Sequence, residues 1–280
     1  MSRVLSRAML PPLVREAMAR LLADLDVDLR GRVEGLYVVG SAATGAFVPS
    51  SSDVDFVAVL GGSPPMAELD RLRRRSGVRF AGAVARWLVA PGRRWPMGVN
   101  GAFVRWEDLA RSPLAVAPIA GQIAGRLTIG AAAEVNPVTW KLLAEHGVAV
   151  RGPHREHLDV AADPRELHAW TCENLRTYWT GWARNVTHEP LARLFPRQAT
   201  TWGALGAPRL HYTLATGAIA SKEQAGAYAL ETFGLAWHAL VRDALAHRRG
   251  ARAPRHSLRE AAAFVEAVVA SGESVTPPAR

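Results

Sequence analysis

Gly40-Ser41 and, eleven residues on, Ser52-Asp53-Val54-Asp55-Phe56 decide the reading of this chain. Two runs with strand character flank them, Leu36-Tyr37-Val38-Val39 and Phe56-Val57-Ala58-Val59-Leu60. Strand side chains alternate between faces, so Asp53 and Asp55 point the same way while Val54 and Phe56 turn to a core. Two carboxylates side by side repel unless a cation lies between them, and a hard cation such as Mg²⁺ takes oxygen ligands of this kind. The preceding Gly40-Ser41 turn offers a closely approaching backbone and a hydroxyl, and both suit a phosphate. Together these residues predict a metal-dependent phosphate site.

Composition bounds the rest. The chain has 280 residues, 49% of them hydrophobic, with nine tryptophans; that is enough for two cores and excludes disorder. No apolar run reaches the ~20 residues that span a bilayer. The segment Met1 to Pro12 has two arginines but no sustained apolar stretch, a poor signal peptide. A single cysteine, Cys172, excludes an internal disulfide and a cysteine metal cluster. The expectation is a cytoplasmic protein without a membrane segment. The net charge of +9 is almost all arginine, Lys141 and Lys222 being the lysines. It favours anionic partners such as ATP. The densest basic patches, Arg71 to Arg75 and His247 to Arg255, read as solvated faces, so nucleic acid is not the expected partner.

Pattern changes near residue 160. Before it, apolar positions from Leu13 to Leu22 predict an amphipathic helix leading into the first strand. Pro64-Pro65 opens a helix through Arg75, and Val78 to Val89 and Val99 to Arg105 read as strands. Asn136-Pro137 caps a helix that Gly147 ends before the strand Val148-Ala149-Val150. After it no strand is convincing. Asp163-Pro164 opens a helix to about Arg184, and another runs from Trp202 to Ala215. Capping boxes at Ser221/Gln224 and Ser257/Glu260 open two more, with a further helix from Leu235 to Arg248 between them. The tail from Ser271 reads as frayed. The fold class is α+β: an N-terminal mixed-sheet domain, 1–160, followed by an all-α bundle, 161–280.

Gly-Ser, a spacer and Asp-x-Asp resemble the signature of the polymerase-beta nucleotidyltransferase superfamily, with a slightly long spacer here. The stretch Arg209-Leu210-His211-Tyr212-Thr213-Leu214-Ala215-Thr216-Gly217-Ala218-Ile219-Ala220-Ser221-Lys222, continued by Tyr228-Ala229-Leu230-Glu231, resembles the C-terminal domain of the aminoglycoside (3″)-adenylyltransferases. The resemblance implies Mg²⁺ on Asp53 and Asp55, and ATP phosphates held across a cleft by Gly40, Ser41, Ser52, Arg209 and Lys222. It implies AMP transfer from ATP to a hydroxyl of a small molecule, with pyrophosphate released. Independently, Lys222 follows the N-cap Ser221, where a helix N-terminus favours an anion. His211 and Cys172 read as structural.

Two departures qualify what the family implies. The best register puts Asn100 where the family carries a third acid, with Glu107 and Asp108 a few residues on, in what reads as a cap and first helical turn. The segment Glu189 to Trp202, where the resistance enzymes bind a cationic drug, carries Arg193 and Arg197 and no carboxylate beyond Glu189. Two alternatives therefore stand beside the small-molecule adenylyltransferase: a catalytically impaired nucleotide-binding relative, and a nucleotidyltransferase acting on protein or RNA.

Overall fold

The computed structural model describes residues 10–89, 98–251 and 256–275. The segment before Leu10, the Arg252 to Arg255 end of the second basic patch and the tail from Thr276 lie outside them. The chain forms two compact units, Met1–Asp163 and Pro164–Arg280.

The first unit is built on six strands: β1 (Val33–Val39), β2 (Val54–Leu60), β3 (Val99–Arg105), β4 (Ala120–Ile123), β5 (Arg126–Ile129) and β6 (Val148–Arg151). They form one mixed sheet in the order β5-β4-β3-β2-β1-β6. β2 and β3 run parallel and every other pair is antiparallel. Alternation splits β2 between two apolar layers. Val54, Phe56, Ala58 and Leu60 pack with Val14, Met18 and Leu25 of α1 (Pro12–Asp28) and with Leu69 and Leu72 of a later helix. Val57 and Val59 pack on the opposite face with Tyr37, Val39, Ala102, Val104, Trp140 and Leu143. Between β1 and β2 lies the one-turn α2 (Gly40–Ala43).

The run Val78 to Val89, read above as a strand, is instead the second half of α3 (Met66–Leu88). The reason is visible in burial. Val78 and Val89 are 73% and 82% exposed, so the alternation supplies no apolar face for a strand to bury. Alanines and arginines favour the helix. Two arginines tie α3 to α1: Arg75 and Arg79 both bond the buried Asp28 carboxylate. The β4–β5 hairpin was not anticipated. Its turn residues, Ala124 and Gly125, both have positive φ (47° and 75°), as a two-residue I′ turn requires. The signal was short, because each strand spans four residues. After β3 come α4 (Trp106–Leu109) and, after β5, α5 (Pro137–His146), capped by Asn136.

The second unit is all helix: α6 (Pro164–Asn174), a π-helical turn over Leu175–Trp179, α7 (Thr180–Asn185), α8 (Pro190–Leu194), α9 (Pro196–Thr216), α10 (Lys222–Thr232), α11 (His238–Arg248) and α12 (Leu258–Gly272). α9 begins at Pro196, six residues before the Trp202 expected from the pattern. It is the central helix, buried at Thr200, at every residue from Gly203 to Pro208, and at His211, Thr213 and Leu214. Gly203 and Gly206 lack side chains where they meet indoles: a methyl at either would overlap Trp182 or Trp179. Both capping boxes, at Ser221/Gln224 and Ser257/Glu260, are formed.

Candidate active site

Asp53 and Asp55 stand at the start of β2, on the face that carries Val57 and Val59. Asp53 is exposed and Asp55 partly buried. The Asp53 carboxylate accepts the Gly98 N–H through Oδ1 at 2.8 Å, and the Asn100 amide donates to its Oδ2 at 3.5 Å. Asp55 faces the turn at Gly40. That glycine has φ +66°, and a side chain there would overlap the Asp55 carboxylate. Glycine is thus required twice, for the backbone conformation and for the close approach. Ser41 follows it in α2, partly buried. Ser52 is buried, and its hydroxyl oxygen accepts the Val48 N–H at 3.0 Å while its own N–H bonds the Val48 carbonyl. It therefore closes the loop that delivers the chain into Asp53.

Parallel pairing of β2 and β3 sets Asn100 directly beside Asp55. Its amide is fixed at both ends: Oδ1 accepts the Ala124 N–H at 2.9 Å, which turns the NH₂ toward Asp53. An amide held this way is a donor to the acidic pair and cannot take a proton. Glu107 and Asp108 do not replace it. Asp108 is buried, accepts the Arg105 N–H at 2.9 Å and completes the capping box of α4. Both lie beyond the far end of β3, and the rise along the strand from Asn100 to Arg105 is roughly 16 Å.

A carboxylate the sequence reading passed over is Glu134. It sits in the loop between β5 and α5, where Ala132 and Val135 pack onto the same apolar layer as Val57 and Ala102. The loop crosses β4 at Gly121, where a side chain would strike Ala131 and Ala132; Gly121 pairs with Ala102, two residues from Asn100 on the same face. Burial first, then the charges of Asp55 and Asp53, push the Glu134 pKa up to about 7. Among the described residues Glu134 makes no hydrogen bond and no ion pair. Nothing around Ala133-Glu134-Val135 marks it in the sequence, because its neighbours come from pairing across the sheet.

The donor set suits Mg²⁺. That ion commonly takes one or two carboxylates and completes its shell with water and substrate phosphates. Asp53 and Asp55 supply the two, and after burial their charges are the next causes that raise the Glu134 pKa. Two carboxylates leave the rest of such a shell to water and substrate; no group of three His, Cys, Asp or Glu that could hold an ion is present among the described residues.

In the helical unit, Arg209 and Lys222 belong to one local arrangement. Arg209 Nε, on α9, donates to the Ala220 carbonyl at 2.9 Å and braces the loop into α10. Lys222 is the first residue of α10, after the Ser221 cap, and its Nζ lies 5.1 Å from the centre of the Trp202 ring. Next to it, Glu223 bonds the buried Arg248 guanidinium at 2.8 Å, which pins the start of α10. His211 is buried between the Tyr228 hydroxyl (2.8 Å) and the Ser271 hydroxyl (3.0 Å), and burial lowers its pKa. It is a neutral packing residue. Arg193 and Arg197 are exposed, on α8 and the first turn of α9.

Residues 196–271 match the family aminoglycoside adenylyltransferase, C-terminal domain. That stretch of the chain is similar to the C-terminal domain of the aminoglycoside adenylyltransferases. The match begins at the first residue of α9 and ends within α12, so it takes in Arg209, the braced loop and Lys222. Most of the chain shares its fold with the spectinomycin adenyltransferase AAD(9) of Enterococcus faecialis, whose crystal structure holds ATP and spectinomycin. That likeness has 13% identity and a TM-score of 0.66, covering 91% of this chain and 98% of the other. Comparison with curated proteins gives no match. Among the described residues no helix is long and apolar enough to cross a membrane.

Proposed function

We propose that this adenylyltransferase-like protein moves AMP from ATP to a hydroxyl of a small molecule and releases pyrophosphate. One observation carries the reading: two carboxylates on one strand face, reached through a glycine turn that admits the second of them, in a chain that also carries the adenylyltransferase-like helical unit. In this reading Asp53 and Asp55 hold Mg²⁺, which when bound neutralises charge on the phosphate oxygens. Gly40, Ser41 and Ser52 offer backbone and hydroxyls to phosphate, and Ser52 also holds its loop in place. Arg209 and Lys222 bind the β- and γ-phosphates and stabilise pyrophosphate as it departs. Positioning and electrostatics supply most of the acceleration.

The test is incubation with Mg²⁺, ATP and a panel of spectinomycin, streptomycin and cell metabolites, read by mass spectrometry and by pyrophosphate release. The expected result is one acceptor gaining the mass of one AMP with stoichiometric pyrophosphate. ATP binding without any product would establish the second reading, a nucleotide-binding relative, which the fixed Asn100 amide favours. A macromolecular acceptor gains little from the basic surface, since Arg73, Arg75 and Arg79 are engaged by Asp70 and Asp28.

A further inference from the structure

We propose that Glu134 is the catalytic base that accepts the proton of the acceptor hydroxyl, a role that rests on the adenylyl-transfer reading. Three observations converge on it. It lies on a loop bracketed by Ala132 and Val135, which pack on the sheet face that carries Asp53, Asp55 and Asn100. Among the described residues it has no hydrogen-bond or ion-pair partner, although it is partly buried. An unpaired charge in that setting costs stability and returns none, and such groups cluster at functional sites. Finally, its loop crosses β4 at Gly121, which pairs with Ala102, two residues from Asn100 on the same face.

The other acids fail where Glu134 does not. Asn100 is an amide locked to Asp53 and Ala124. Asp108 is consumed by its cap, and Glu107 is beyond the wrong end of β3. The step balances simply. The acceptor oxygen bonds to the α-phosphorus as its proton moves to a Glu134 carboxylate oxygen. The bond from that phosphorus to the bridging oxygen breaks, and pyrophosphate leaves with the electron pair. Glu134 then returns the proton to solvent.

The experiment compares Glu134→Gln with the full-length wild type, using spectinomycin and streptomycin as acceptors. Single-turnover AMP transfer should fall by roughly 10²–10⁴-fold, the usual contribution of a positioned base. Affinity for Mg²⁺ with a non-hydrolysable ATP analogue, measured by calorimetry, should stay within about twofold, and thermal stability should not drop because no contact is lost. Wild-type turnover in the variant overturns the assignment. Loss of Mg²⁺–nucleotide binding along with turnover also overturns it, by making Glu134 a ligand. If the wild type binds nucleotide but transfers AMP to no acceptor of the panel above, the adenylyl-transfer reading fails and the base falls with it; an active wild type with an unaffected variant sinks the base alone.

Discussion

The acidic residues of the sheet unit and the basic residues of the helical unit are held in opposite ways. Asp53, Asp55 and Glu134 come from two segments about eighty residues apart in sequence, and their charges couple because strands pair and a loop crosses the sheet. Their repulsion stands uncompensated at Glu134, whose acid is raised by burial and by the two aspartates. Arg209 and Lys222 come from one helix–turn–helix, and local bonds position them: a guanidinium on the Ala220 carbonyl, a cap at Ser221 and an indole under the ammonium. The sheet stores electrostatic tension that a cation or a proton relieves. The helices set cations at the mouth of a helix dipole, where an anion is welcome.

The comparison breaks most visibly if the acidic side is removed. Asp55→Asn, or Asp53→Asn, should lower metal-dependent nucleotide turnover by about 10³-fold or more, since metal-ion charge stabilisation is worth several kcal/mol. The fold should survive, because an asparagine at 53 still accepts the Gly98 N–H and the repulsion is relieved. Steady-state pyrophosphate release and circular dichroism check both halves of this prediction, and near wild-type turnover in the double variant would remove the assignment of the site.

Next in size is the basic side. Lys222→Ala should weaken ATP binding by about 10- to 100-fold, the worth of a hydrogen bond to a charged group, and leave AMP almost unchanged. Calorimetric titration with each nucleotide decides, and equal weakening of both would place the lysine away from the β- and γ-phosphates.

Gly206→Ala probes whether the helical unit tolerates movement of α9. Helix propensity favours alanine by about 1 kcal/mol, but the new methyl overlaps the Trp179 ring, and overpacking costs about 1–3 kcal/mol. The net expectation is a lower melting temperature, seen in thermal unfolding; a rise would show that the indole has room to shift.

The smallest effect is on pH. The folded-state pKa of His211 is depressed by burial, so the unfolded chain binds its proton first as pH falls. Its stabilising contribution is complete above the ordinary histidine value of 6.5 and is lost progressively below it. Chemical denaturation between pH 7 and 5 should show stability falling with pH, and His211→Gln should flatten part of that slope. An unchanged slope would assign it to other groups, such as His146, whose pKa burial also lowers.

Short-range rules carry a definite share of this protein. The period of two along a strand puts Asp53 and Asp55 on one face, and the capping pairs at Ser221/Gln224 and Ser257/Glu260 mark their helices because a cap is made by residues three apart. Val99 to Arg105 is legible as a strand for the same local reason, and so is the contiguous Arg209-to-Lys222 signature. Tertiary structure decides what depends on distant partners. Whether Val78 to Val89 becomes strand or helix turns on having no second layer to bury an alternating face. Asn100 becomes a fixed donor because the N–H of Ala124, in a hairpin of two four-residue strands, meets its oxygen. Glu134 joins the acidic pair because Gly121 lets its loop cross β4. Electrostatic coupling depends on separation in space and on local burial, and neither quantity is written in the order of residues around Glu134.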